Sequence, residues 1–278
     1  MSPAGTQTCD TLEIQRPSAF KHWMISMVNK DTESNQRPLG IIFALPLEAH
    51  TFERRICDTK DFQGQECVIF EGRIANHPIT WTISGVGRDA ASRAAQLMID
   101  GHRPHTLISA GFAGGLADDL ERGNVLIPDK VLNDRHECVY TLASIDRIPF
   151  LVTKRRKPRA LITVDSVITS REDKAQLRKN SNADLVDMES AAVAQIAQEA
   201  DIPFLAVRAI SDTYDETLPP EVSTLSQPQS PIHRFGAALA AITRRPRAAS
   251  DLWRLWEQSI SCSRTLADQL EKIIQASG

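Results

Sequence analysis

From Leu39 onward, short apolar runs alternate with segments whose apolar residues recur at helical spacing. Gly40-Ile-Ile-Phe-Ala44, bounded by Pro46, predicts a buried strand that ends in a loop. Cys67-Val-Ile-Phe70 and Ile79-Thr-Trp-Thr-Ile83 predict two further strands, separated by the turn-forming Asn76-His77-Pro78. Gly85-Val-Gly87 breaks the pattern, and Ala91, Ala94, Ala95 and Met98 then share one face of a helix expected over Arg88 to Asp100. Thr106-Leu-Ile-Ser-Ala110 predicts a strand running into a glycine-rich turn, Gly111-Phe-Ala-Gly-Gly115. Asn124 to Pro128, Leu161 to Val164 and Pro203 to Arg208 read as strands, and Ser190 to Ala200 as a helix with Ala192, Val193, Ile196 and Ala197 on one face. This alternation predicts an α/β fold, one domain with a central mixed, twisted β-sheet flanked by helices.

The two ends of the chain depart from that pattern. Met1 to Pro38 is polar and irregular with no apolar core of a signal peptide, and it is expected to be a flexible extension (residues 1–38) before a folded domain over 39–278. Beyond Leu218-Pro-Pro220 and the loop-like Ser223 to Pro231, Phe235 to Thr243 and Leu252 to Ile274 carry helical periodicity. Arg244-Arg-Pro-Arg247 separates them, since proline ends a helix at or before its predecessor. Trp253 and Trp256, three residues apart, are read as packing the last helix on the body rather than as a peripheral membrane contact.

Composition narrows the function classes. The net charge of −3, from 32 Lys and Arg against 35 Asp and Glu, argues against a nucleic-acid binder, which needs a basic surface. No run approaches the roughly 18 apolar residues of a membrane span. The five cysteines are widely separated and the seven histidines have no ligand spacing; neither a disulfide framework nor a metal site is expected, and a reducing, cytoplasmic setting is favoured. The basic run Lys154-Arg-Arg-Lys157 with Arg159 reads as a solvated loop.

Candidate chemistry lies just past strand ends, where α/β folds place their sites. Glu48 follows the first strand, Asp187 and Glu189 flank Met188, and Asp212 follows Val207-Arg-Ala-Ile-Ser211. Each alone is an ordinary carboxylate. Their recurrence beside two glycine-rich segments, which let backbone N–H groups approach an anion or a sugar, raises their significance.

The blocks Gly40-Ile-Ile-Phe-Ala44 with Glu48, Ser84-Gly-Val-Gly87, Gly111-Phe-Ala-Gly-Gly115, Val186-Asp-Met-Glu-Ser190 and Arg208-Ala-Ile-Ser-Asp212 jointly resemble the purine nucleoside phosphorylase/nucleosidase superfamily. The likeness covers about residues 39 to 217 and is greatest to the methylthioadenosine/S-adenosylhomocysteine nucleosidase branch. The part beyond residue 180 looks like hopanoid-associated phosphorylases. The resemblance implies cleavage of the N-glycosidic bond of a 5′-substituted adenosine, with no cofactor, in a homo-oligomer such as a dimer. It implies Glu48 as the base that activates water, Asp212 as the acid that protonates purine N7, and Ser211 beside it. Met188 and Glu189 would hold the ribose, and Gly111, Phe112, Val167 and Ile168 would line the substrate pocket. The chemistry is consistent with that division, because the departing purine gains negative charge while the sugar gains positive charge.

Three positions depart from the branch. Phe112 replaces a small hydroxyl residue, Val167 stands where an aromatic ring faces adenine, and Asp187 is one methylene shorter than the usual glutamate. The nucleophile decides between hydrolysis, which Glu48 favours, and phosphorolysis, which the tail resemblance favours. Phosphate would need an anion site, for which Gly87 with Arg88, and then Arg208, are the candidates.

Overall fold

The first apolar run forms strand β1 (Leu39–Phe43), buried along its whole length. The computed structural model describes residues 37–64, 67–142, 157–218 and 248–277. β1 runs parallel to β4 (His77–Ile83) on one side and to β5 (Thr106–Gly115) on the other. Outside β4 lie β3 (Val68–Ile74) and the edge strand β2 (Cys57–Gln63), both antiparallel to their neighbours. β5 then serves two partners. β11 (Phe204–Asp212) pairs with it in parallel, and β10 (Leu185–Asp187) pairs antiparallel with its glycine-rich end. Beyond β10 come β9 (Ala160–Thr163), β7 (Lys130–Leu132) and β8 (Cys138–Thr141), while β6 (Val125–Leu126) lies on β11. The predicted mixed sheet is thus present, with eleven strands among the described residues.

Alternation along β1 sorts the core onto two faces. Leu39, Ile41 and Phe43 join one apolar cluster with helix α1 (Pro46–Glu53) and helix α5 (Ala248–Ala276), whose Leu266, Leu270, Ile273 and Ile274 are fully buried. Ile42 joins the other cluster, where alanines of α2 (Arg88–His102) and α4 (Ser190–Glu199) meet. Small residues there let two helices approach each other and the sheet closely. No helix among the described residues is long and apolar enough to cross a membrane.

Several expectations are corrected. The segment after β1 is helical, not a loop. Pro46 takes the first helical position and Glu48 the third, a pairing that starts helices because proline lacks only an N–H that would be orphaned there. Gly111-Phe-Ala-Gly-Gly115 is not a turn but the continuation of β5, held straight by ladders from β11 and β10. Strand β2 and helix α3 (Arg171–Ser181) were not anticipated: every residue of β2 is exposed, and α3 buries a single side chain, so neither carries an apolar period. Arg37 and Pro38 belong to the body, bonding to the backbone of Arg103, Pro104 and His105. The rest of the expected extension, the loop over 223–231, the helix over 235–243, Arg244 to Arg247 and the side chains of Trp253 and Trp256 lie outside the described residues.

Helix α5 seals one face of the sheet, and Leu270→Ala should cost about 2–5 kcal/mol of stability. Urea unfolding would show this as a lower midpoint with an unchanged slope; a negligible shift would mean that α5 does not close the core.

Candidate active site

Glu48 stands in the first turn of α1, and its carboxylate accepts three N–H groups at once. Oε2 accepts the N–H groups of Ala44 and Leu45 at 2.9 and 2.8 Å, and Oε1 accepts that of Phe112 at 2.8 Å. It therefore caps its own helix and ties the β1–α1 junction to β5. Gly111 makes this approach feasible: a methyl group there would lie 2.6 Å from Oε1. Burial pushes the Glu48 carboxyl above its usual range, opposed by the Phe112 N–H, Arg208 and the two capping N–H groups.

Asp187 and Arg208 form the buried centre behind this carboxylate. Arg208, 2% exposed, lies 2.8–2.9 Å from Asp187 Oδ2 through Nε and Nη2. Its remaining donors reach the Ser109 and Val207 carbonyls and the Ser109 and Ser190 hydroxyls. All five N–H groups are accounted for. The second candidate for anion binding is therefore a structural ion pair, which also takes up the shortened Asp187, whose Oδ1 accepts the Thr163 hydroxyl at 2.7 Å.

Glu189 precedes the first residue of α4, and its carboxylate accepts the Gly87 N–H at 2.8 Å. Gly87, at φ 98°, adopts a backbone conformation disfavoured for other residues. Loss of water and then the charges of Asp187 and Glu48 push the Glu189 carboxyl up to about 8. Electrostatic coupling of that kind requires the three acids, separated by up to 141 residues in the chain, to share one small region.

Asp212 closes the group. The register of β11 against β5 shifts between Ile210 and Asp212, and such a bulge re-aims the side chain that follows it. The carboxylate lies against Gly114, where a methyl group would be 3.2 Å from Oδ2. Oδ1 accepts the Ser211 hydroxyl at 2.6 Å, and Oδ2 faces Lys174 Nζ at 2.6 Å. Arg122 grips the following segment through both carboxylate oxygens of Glu216 and the Ser211 carbonyl. Lys174 and Arg122 escaped the sequence reading; the one available signal was a lysine three positions before Leu177 on an otherwise charged helix.

Other candidates take secondary places. The Phe112 ring packs on the core cluster beneath α5, leaving its N–H for Glu48. Met188 is half-buried next to Glu189. Val167 and Ile168 lie in the loop after β9, which meets the segment after Asp212 through the Leu218 N–H and the Thr169 carbonyl, 2.9 Å apart. Arg88 is bound by Asp134 at 2.9 and 3.2 Å and by Asp165 at 2.5 Å, beside a cavity of about 290 Å³. With the Gly87 N–H given to Glu189, the expected anion site at Gly87 and Arg88 is already filled by carboxylates. Lys157 and Arg159 likewise pair with Asp119.

The raised Glu189 group carries a definite pH signature. Between about 4.5 and about 8 the unfolded chain releases this proton while the folded one keeps it, so this group's contribution to stability falls as pH rises. Glu189→Gln removes that slope and should stabilise the protein more at pH 8 than at pH 5 in urea unfolding; an equal effect at both pH values would mean that the carboxyl is ionised throughout.

Comparison with known proteins places the chain in a family. The model of the Phosphorylase superfamily matches residues 38–245. A 5′-methylthioadenosine/S-adenosylhomocysteine nucleosidase from Listeria monocytogenes is 28% identical over 199 residues, 63% of this chain and 85% of that protein. Among solved structures, the same kind of nucleosidase from Neisseria meningitidis, bound to methylthio-immucillin-A, superposes with a TM-score of 0.63 at 19% identity, covering 86% of this chain and 99% of that one. Futalosine hydrolase of Helicobacter pylori superposes at 0.60 with 18% identity, covering 85% and 98%. With the family model spanning most of its length and the acids gathered around β5, the chain belongs to the Phosphorylase superfamily.

Proposed function

We propose that the protein hydrolyses the N-glycosidic bond of a 5′-substituted adenosine and releases adenine. The observation that carries this reading is the placement of Glu48 against Gly111 and Asp212 against Gly114, three positions along one strand. At about 3.3 Å per residue that is roughly 10 Å. That spacing sets apart the two places where the carboxylates rest on the strand, and a division into one base and one acid is the one that inverting glycosidases use. Glu48 has lone pairs left beyond its three N–H bonds to orient and deprotonate water. Asp212 gives its proton to N7 as the electron pair of the C1′–N9 bond moves to the purine. Glu189, whose carboxyl feels the Glu48 charge, is suited to the ribose hydroxyls. The named relatives support the adenosine part of the reading.

Hydrolysis is favoured over phosphorolysis by where the cations go. Arg208 has no donor left and Arg88 is bound by two aspartates. A phosphate entering beside Glu48 would meet carboxylates rather than a guanidinium. The Phe112 substitution does not undermine this, since the bond to Glu48 comes from the backbone.

Adenine release from methylthioadenosine should proceed at the same rate with and without phosphate, and a strict phosphate requirement would establish the other nucleophile. Asp212→Asn should lower kcat at least about a hundredfold with KM little changed; near-normal turnover would remove Asp212 as the acid. Gly111→Ala places a methyl group 2.6 Å from Glu48 Oε1, and should lower kcat at least about tenfold by displacing the base. Steady-state kinetics on the folded variant checks it, and wild-type kcat would show that the position of Glu48 is not critical.

A further inference from the structure

Helix α3 presents an anomaly. Its sequence, Arg171-Glu-Asp-Lys-Ala-Gln-Leu-Arg-Lys-Asn-Ser181, is strongly polar, and the one side chain it buries is a lysine. Lys174 is 1% exposed. Its Nζ lies 2.6 Å from Asp212 Oδ2, 2.6 Å from the Thr213 carbonyl and 3.0 Å from that of Glu216. Three acceptors satisfy three ammonium protons. Desolvating an ammonium is expensive unless every proton is placed, and an apolar residue of similar volume is often the more stabilising choice at such a site. A fully satisfied lysine aimed at one particular carboxylate is therefore better explained by what it does to that carboxylate than by packing.

The surroundings indicate what that is. The Lys174 contacts join α3 to Asp212 and to the segment after it, whose other end meets the Val167–Ile168 loop at Thr169. Arg122 holds the same segment through Glu216 and the Ser211 carbonyl. Resting on the proposed function, we infer that Lys174 is the positioning residue of the purine-side acid. It holds Asp212 in register with the departing base and neutralises the carboxylate formed when the Asp212 proton moves to N7. Lys174 keeps its own protons throughout; the O–H bond of Asp212 breaks, the N7–H bond forms, and the glycosidic electron pair ends on the purine.

The test is a kinetic double-mutant cycle on the full chain with methylthioadenosine, using Lys174→Gln, Asp212→Asn and the two combined. Lys174→Gln should lower kcat at least about tenfold with KM changed only a few-fold, and in the Asp212→Asn background it should cost less than about twofold, the mark of residues acting as one unit. Lys174→Arg, which keeps the charge, should recover most of the loss. If Lys174→Gln does not fold, Asp212→Asn/Lys174→Met removes the buried ammonium and the acid together, and its kcat should match that of Asp212→Asn. Wild-type kcat in Lys174→Gln, or an equal loss in both backgrounds, overturns the inference while leaving the proposed function intact. Absence of adenine release by the wild type, or normal turnover by Asp212→Asn, would instead remove the proposed function itself.

Discussion

The buried pair between Arg208 and Asp187 is the constraint on which the rest of the site depends. A guanidinium 2% exposed must have every donor placed, because an unpaired buried charge is far more costly than the pair itself is stabilising. Those donors reach β5 through Ser109, β10 through Asp187 and α4 through Ser190. Strands β5, β10 and β11 are thereby held in one relative position at the point where the sheet changes direction. Glu48 and Glu189 each feel the Arg208 charge, so the cation that locks the scaffold also tempers the repulsion among the acids it brings together.

Around that lock, the site is built from side chains that serve structure and chemistry together. Glu48 caps α1 and bonds to β5; Glu189 stands at the start of α4 and bonds to the Gly87 turn; Asp212 follows a strand bulge and pairs with α3. Each carboxylate is fixed by bonds to backbone or to another charge, so little reorganisation is needed when a nucleoside enters. Glycine at 111 and 114 is the complement of this arrangement, because the carboxylates occupy the space where side chains would stand.

Legibility in the sequence varied with how local the cause was. β1 and β4 are readable as continuous apolar runs and α2 and α4 by apolar residues at helical spacing, signals that the local sequence reports directly. Helix α1 was missed because its signal is a cap rather than a period, a proline and a glutamate two residues apart after an apolar run. Composition points to a turn in the glycine-rich segment, and only pairing with two partner strands makes it extended. Lys174 gave almost no signal, since a lysine on a charged helix is normally solvated.

What the chain determines by itself is the list of elements and the order of its acids: apolar periods bury against each other whatever the partner, and Glu48, Glu189 and Asp212 follow from position after strand ends. What the tertiary structure alone decided is which charges meet. Arg208 goes to Asp187 rather than to a ligand, Arg88 to Asp134 and Asp165, and Lys174 to Asp212. Charge pairing acts through space over distances that sequence separation does not encode. The same arginine can thus be an anion site or a girder, and the contacts of the folded chain decide between them.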